Sequence, residues 1–458
     1  MSNLAKNRLI ILSLISILVL HTVIIFKLMF FPYMELFVYP YLTNQGLKPY
    51  SQIFDQHFPG LMFFPINLNN LGMTNPTTAR IWLIGIIILT HIFIFLISRF
   101  IFKSSKRALI VNILYLIWQP FFEGWVLWID SFLPLLLLPA FYFSIKKNFF
   151  LAGLFLGISI VFKQTIIPLS ALLFLYFCLD RKNIREVLAY LAGLLIPLFL
   201  MISYFFGIGV LWDFWYWNVI FNLTTYAKYG TKAPVESGFI SRILFVYSFS
   251  LASFYFKEKR IVYTIFIFLF GSFISILDRA DFIHLQPSLP FAAIATSLAF
   301  YSIKNKKILI TIVCVYILVT LWWLNIFYKG HLSEKVFFFD NQTYKVADLI
   351  KKYSFSGDKI FIYGAQANLY LLTNTLPAGN TFVFQFPWFL KVAEDRVLNG
   401  IKKDQPKIIV FDTSYKVDGV ELKIFSTKIY AYIENNYKKI DNIGSIEILQ
   451  RRIDAQKN

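Results

Sequence analysis

The sequence predicts an α-helical polytopic membrane protein with a small C-terminal α/β domain outside the membrane. Three observations lead there. Hydrophobic residues make up 58% of the 458 positions and charged residues only 15%, with a mean hydropathy of +0.63, which is too apolar for the surface of a water-soluble globule. Runs close to the ~20 apolar residues needed to cross a bilayer recur from Leu9–Phe31 to Ile308–Phe327. Beyond about Lys329 those runs stop, and short strand-like stretches (KIFIYG, NTFVF, KIIVFDT) alternate with helix-like ones around 367–372, 391–401 and 427–437.

The charges give the topology. The chain carries a formal net charge of +19, and its basic residues cluster at Lys6 and Arg8, at Arg99, Lys103, Lys106 and Arg107, at Lys146 and Lys147, at Arg181, Lys182 and Arg185, at Lys257, Lys259 and Arg260, and at Lys304, Lys306 and Lys307. Each cluster sits in a short connection after every second apolar run, as expected of Lys and Arg on the cytoplasmic side. That pattern argues against nucleic acid as a partner and for membrane lipids.

With those clusters inside, the chain crosses about eleven times, near 9–31, 80–98, 108–122, 132–145, 149–162, 165–179, 186–209, 239–256, 261–277, 285–302 and 308–327. The expected organisation is a transmembrane domain over 1–328 with an outer loop at 32–79, followed by an extracytoplasmic α/β domain over 329–458. The protein is expected in the plasma membrane with its amino terminus in the cytoplasm. The first run lacks a small-residue cleavage site and reads as a permanent helix. Cys178 and Cys314 lie inside apolar runs and read as small core residues, with no disulfide implied. Gly153 and Gly157 have the spacing that lets helices approach closely.

The residues capable of chemistry collect on the outer side: Glu35, Asp55 and His57 in the long first loop, Glu123 and Asp130 around the second, Lys163 at the third, Asp213 and Glu236 in the fourth, and Asp278, Arg279, Asp281 and His284 in the fifth. Polar groups held at a bilayer edge are functional candidates. The first loop, YLTNQGLKPYSQIFDQHFPG after Glu35, is folded by Pro32, Pro40, Gly46, Pro49, Pro59 and Gly60, and its Phe58–Leu71 stretch is expected in the membrane interface. Two carboxylates there suit a general base acting on a hydroxyl while cations hold a phosphate.

These residues resemble the polytopic glycosyltransferases of the GT-C type, glycosyltransferase family 39, which includes protein O-mannosyltransferases and aminoarabinose transferases. Four pieces occur in order over roughly residues 1–330: Glu35 with GLKPYSQIFDQHFPG, Asp130 in WIDSFLPLLLLPAF, Lys163 closing GLFLGISIVFKQT, and His284 in DRADFIHLQPSLPF. Met34 precedes Glu35 where the family commonly has Asp. The resemblance implies transfer of a sugar from a polyprenyl-phosphate donor to a lipid, glycan or protein acceptor at the outer face. It makes Glu35 or Asp55 the base and Asp130 the acceptor-orienting or second carboxylate. Lys48, Tyr50, Lys163 and Arg279 become substrate contacts, the cations facing the phosphate. His57 and His284 become ligands of a divalent metal, the one cofactor it admits.

Simpler readings stand beside these. Asp130 would cap a helix, Lys163 would snorkel to the interface, Arg279 would pair with Asp278 or Asp281, and His284 would be a satisfied polar residue. Trp212, Trp215 and Trp217 would form an aromatic belt. Two other functional classes remain. A transporter calls for broken helices and midplane charges in two similar halves, whereas here the ionisable groups gather at one face. A polysaccharide polymerase or ligase calls for a large basic outer loop, whereas 210–238 is aromatic and poorly basic.

Overall fold

The computed structural model describes residues 3–180, 184–230, 237–277 and 279–452; Arg181, Lys182, Glu236 and Asp278, named above, lie outside them. Every apolar run identified in the sequence falls on a helix: α1 Asn3–Lys27, α2 Pro76–Phe102, α3 Ser105–Gln119, α4 Ile129–Ile145, α5 Phe149–Phe162, α6 Ile167–Asp180, α7 Ile184–Gly207, α8 Ser237–Leu251, α9 Lys259–Phe273, α10 Leu289–Ser302 and α11 Lys306–His331. A helix closes its own backbone hydrogen bonds, the condition for entering hydrocarbon. Among the described residues six helices are long and apolar enough to cross a membrane, and four shorter apolar ones accompany them. Large apolar side chains such as Leu12, Phe199 and Leu318 are exposed, as lipid-facing surfaces require.

The chain divides into two compact units, one built from the described parts of residues 1–31, 77–201 and 232–335 and the other from those of 32–76, 202–231 and 336–458. In the helical unit, α5 packs on α7 through glycine. A Cβ on Gly153 would lie 2.1 Å from the Tyr190 carbonyl oxygen, one on Gly157 2.4 Å from that of Leu194, and one on Gly193 2.1 Å from that of Phe150. Both Cys178 and Cys314 are exposed rather than in the core. The sequence misplaces them because lipid-facing and core-facing positions of a membrane helix are equally apolar.

In the second unit the C-terminal segment forms a five-stranded sheet from β1 Lys359–Tyr363, β2 Leu376–Pro377, β3 Ile408–Asp412, β4 Tyr437–Ile443 and β5 Ile446–Arg451. The order is β4-β5-β3-β1-β2. β1 runs parallel to β2 and β3, with Ile362 opposite Val410, and β5 is antiparallel to β3, with Ile448 opposite Val410. Helices α12 Asn341–Tyr353, α13 Pro387–Asp404 and α14 Thr427–Asn436 accompany the sheet. The NTFVF stretch contributes only Phe382–Val383, which pairs in parallel with Ile53–Phe54 of the first outer segment. Residues 58–75 form turns rather than a regular element; Phe58, Met62, Phe63 and Leu68 are buried, while Ile66 and Leu71 are exposed. The aromatic segment is helical, with Trp212 and Trp215 exposed and Trp217 buried.

Gly153→Ala should force α5 and α7 apart and cost about 1–3 kcal/mol, read as a lower thermal midpoint in detergent. Gly85→Ala, where nothing lies within 4 Å of the added Cβ, should leave it unchanged or slightly raised.

Candidate active site

In the helical unit the site begins with a hairpin. The turn between α4 and α5 is closed by Lys147 at φ 63° and by Asn148, whose side chain accepts from Leu151 N–H at 3.2 Å. Antiparallel neighbours of similar length bring the start of α4 and the end of α5 to the same level. Asp130 opens α4 and Lys163 follows the last residue of α5. Their side chains meet: Lys163 Nζ donates to Asp130 Oδ1 at 2.8 Å and Oδ2 at 2.7 Å. The carboxylate is fully buried and the Lys163 side chain is 5% exposed, so this lysine is inside the protein rather than reaching for the interface. Asp130 is not the cap of α4; Ser131 Oγ takes the Trp128 N–H at 3.3 Å instead.

His284, on the short turn Phe282–Leu285, places Nδ1 3.0 Å from Lys163 Nζ and 3.1 Å from Asp130 Oδ2. One nitrogen cannot accept from the lysine and donate to the carboxylate together. An ammonium has three protons, enough for both Asp130 oxygens and for Nδ1, which makes Nδ1 the acceptor and puts the ring proton on Nε2. The three groups then form a neutral, saturated cluster.

Beside it lies a carboxylate that the sequence marks only as flanking a loop. Glu123 stands at φ 57°, ψ 32°, in the left-handed region that costs a non-glycine residue energy. Its Oε2 accepts from Ile283 N–H at 2.9 Å. Burial first and the nearby Asp281 charge second push its carboxyl up to about 7, against the pull of the Ile283 N–H, Arg279 and Arg242. The Arg242 guanidinium lies 4.4 Å from the Phe121 ring centre and 4.9 Å from that of Phe282. Arg279 is bonded through Nε to Asp281 at 2.6 Å, with its side chain 44% exposed. Gln286 donates from Nε2 to the carbonyls of Gln119 and Phe122. No periodic signal announces Glu123; the only trace in the sequence is a lone acid between Pro120 and Gly124.

In the second unit the parallel pairing of Ile53–Phe54 fixes the residue that follows, Asp55. Its Oδ1 accepts from Gln56 N–H at 2.7 Å and from His57 Nδ1 at 2.9 Å. The residue is 1% exposed, and among the described residues its Oδ2 has no hydrogen-bond partner. Tyr50, at φ 60°, donates its hydroxyl to the His57 carbonyl at 2.8 Å and packs its ring on Phe63, Phe205 and Phe214. Burial, then the Asp55 charge, holds the Tyr39 and Tyr50 phenols well above their ordinary range; Glu35 adds to this at Tyr39. Glu35 lies in the first turn of the helix Glu35–Asn44, where a carboxylate is favoured, and it also bears on Tyr415, raised by burial, Glu35 and Asp412 in that order. Lys48 Nζ donates to the Ile208 carbonyl at 3.3 Å from an exposed position.

The structure thus groups Asp130, Lys163 and His284 in the helical unit, and Asp55, His57 and Tyr50, with Glu35 beside Tyr39, in the other. His57 and His284 belong to different units and each has Nδ1 against a carboxylate of its own. Among the described residues no three His, Cys, Asp or Glu side chains come together as a metal site, so the histidines named as ligands do not on their own make up a donor set.

Two variants separate charge from packing. Lys163→Met strands a buried carboxylate and should lower stability by about 3–5 kcal/mol, whereas adding Asp130→Asn should recover much of it; denaturation midpoints measure both. Glu123 makes the fold more stable while protonated. That contribution is complete below the ordinary carboxyl value of 4.5 and is lost as pH rises through about 7. The thermal midpoint of the parent relative to Glu123→Gln should therefore fall across that window.

No family model matches the chain, and no curated protein matches its sequence. Solved structures do. ArnT from Cupriavidus metallidurans bound to undecaprenyl phosphate superposes with a TM-score of 0.64 at 11% identity, covering 97% of this chain and 98% of that one. The same protein in the apo state gives 0.62 at 10% identity with the same coverage. The oligosaccharyltransferase AglB from Archaeoglobus fulgidus, in complex with an inhibitory peptide and a dolichol-phosphate, gives 0.53 at 12% identity over 97% of this chain and 75% of that one. The chain is an integral membrane protein with the GT-C fold.

Proposed function

We propose that this chain is a membrane glycosyltransferase that moves a sugar from a polyprenyl-phosphate donor to a hydroxyl-bearing lipid, glycan or protein acceptor at the outer membrane face. The observation that carries this reading is the full-length likeness to a structure solved with undecaprenyl phosphate; the likeness to AglB is to a structure solved with a dolichol-phosphate. The buried, hydrogen-bonded Asp55, whose Oδ2 has no partner among the described residues, supports it independently.

Asp55 Oδ2 is the lone pair that takes the acceptor hydroxyl proton. His57 and the Gln56 N–H, both on Oδ1, fix the carboxylate so that Oδ2 alone faces the reaction. The acceptor oxygen then attacks the anomeric carbon, the bond from that carbon to the phosphate oxygen breaks, and polyprenyl phosphate leaves with the electron pair. Cations stabilise charge where it develops in a water-poor site; Lys48, in the same unit as Asp55, is assigned that role. Lys163, already bonded to Asp130 and His284, holds their cluster in place. Glu35 is the second carboxylate of the outer segment and Tyr50 sets the His57 backbone. A divalent cation at His57 or His284 is the one cofactor the family resemblance adds, and no step above uses it. The amino terminus is assigned to the cytoplasm and the C-terminal domain to the outside, on the strength of the basic connections.

Purified Asp55→Asn, normalised to folded protein and supplied with a panel of polyprenyl-phosphate sugars, should lose about 10²–10⁴-fold in turnover, with Glu35→Gln also impaired. Parental turnover from both would remove the outer segment from the chemistry. Reporter fusions at Lys103 and Lys147 should be active inside, and one at the carboxyl terminus outside. Cytoplasmic activity at the carboxyl terminus would overturn the orientation.

A further inference from the structure

A chain of polar side chains runs through α1, α2 and α3, none of them assigned a part in the proposed reaction. Asn112 Oδ1 lies 2.7 Å from His91 Nδ1, His91 Nε2 2.8 Å from His21 Nδ1, and His21 Nε2 2.9 Å from Gln119 Oε1. All four residues are 0–3% exposed. Both amides are oriented by their own donors: Asn112 Nδ2 gives to the Ala108 carbonyl at 3.0 Å and Gln119 Nε2 to the Gly124 carbonyl at 3.3 Å. Turning either amide over would set oxygen against oxygen. The two ends of the chain are therefore acceptors.

Acceptors at the ends demand protons on His91 Nδ1 and His21 Nε2. A neutral imidazole carries one proton, so both rings have then used theirs, and His91 Nε2 faces His21 Nδ1 lone pair to lone pair at hydrogen-bond distance. From this geometry we infer that the His21–His91 pair is a proton-binding site, holding one further proton between Nδ1 of His21 and Nε2 of His91: three protons on four nitrogens, taken from water. Burying a charge among membrane helices is costly. Here it is shared by two rings, and both outer N–H groups point at amide oxygens, giving charge-assisted bonds.

The titratable groups that face the pair are few. Tyr115 of α3 has its ring centre 6.1 Å from that of His21 and 5.0 Å from that of His91. On the segment Pro120–Gly124, which packs on α1 and α3, Glu123 is turned to the Ile283 N–H. The charges of α1, α2 and α3 themselves, Lys6, Arg8, Lys27, Arg80, Arg99, Lys106 and Arg107, lie near helix ends. α10, which packs on α3, supplies no carboxylate, amine, guanidinium or imidazole. The proton has a mechanical consequence, because Gln119 is shared. Its side chain ties His21 to the Gly124 carbonyl, and its backbone carbonyl accepts from Gln286. Loss of the proton opens the link between α1 and α2 and loosens the support of the segment that carries Glu123. The site does not depend on which reaction the protein performs.

The test is nitrogen-15 NMR of the imidazoles in the full chain, labelled at its five histidines and held in lipid nanodiscs near neutral pH, with His21→Gln and His91→Gln used to assign signals. Three protonated nitrogens for the pair, one shared, support the site; two neutral rings overturn it. Gln119→Leu removes the acceptor that forces the proton onto His21 Nε2, so His21 is free to donate through Nδ1 and the count should drop from three to two. A count that stays at three in this variant overturns the account. If the variant does not fold, the parent count alone decides.

Discussion

A polar group that enters hydrocarbon must bring its partner with it, because no water waits there to replace a lost hydrogen bond. The helical unit is organised by that constraint. Asp130 has no exposure and is tolerated because the antiparallel α4–α5 hairpin delivers Lys163 to the same level, with His284 taking the remaining lysine proton. Gln286 closes the carbonyls left open where α3 gives way to the strained segment before α4. The packing of α5 on α7 obeys a related rule: without a hydrophobic force between helices in lipid, close backbone approach at Gly153, Gly157 and Gly193 supplies dispersion instead.

The second unit solves a different problem. Its sheet is parallel on one side of β3 and antiparallel on the other, a mixture common in α/β domains, and the first outer segment adds Ile53–Phe54 as a strand on Phe382–Val383. That addition gives Asp55 a defined place. Phe54 then stacks on Trp217 at 5.0 Å and carries the Arg396 guanidinium on its ring, so a loop rich in turn residues is held by aromatic contact as well as by its backbone hydrogen bonds. A base needs such rigidity, since rate depends on the position of the lone pair as well as its basicity.

Much of this could be read in the sequence, and the limits have physical causes. Apolar runs are local, so the apolar helices α1–α11 are legible from length and composition, as are β1 and β3 from KIFIYG and KIIVFDT, whereas the helices Glu35–Asn44 and Asn341–Tyr353 carry no such run and are not. What pairs with what is not local. Asp130, Lys163 and His284 are each visible, and each also has an ordinary reading as cap, snorkelling lysine or lone polar residue; only the hairpin geometry joins them. NTFVF reads as strand-like, but none of it joins the five-stranded sheet; Phe382–Val383 pairs with Ile53–Phe54 instead, because parallel partners can be hundreds of residues away. Glu123 is named in the sequence only as one outer-side acid among several, and its setting is not legible, because a left-handed backbone at a non-glycine residue leaves no compositional mark. His21 and His91 disappear inside apolar runs because one imidazole changes a hydropathy average very little.

The central claim is that the donor is a sugar on a polyprenyl phosphate, and product stoichiometry tests it most directly. The purified chain, reconstituted in proteoliposomes with a labelled polyprenyl-phosphate sugar and a mixed pool of envelope acceptors, should release one polyprenyl phosphate for each sugar that appears on an acceptor. Folded protein that releases no polyprenyl phosphate from any such donor, or that releases free sugar with no glycosylated product, would contradict the account.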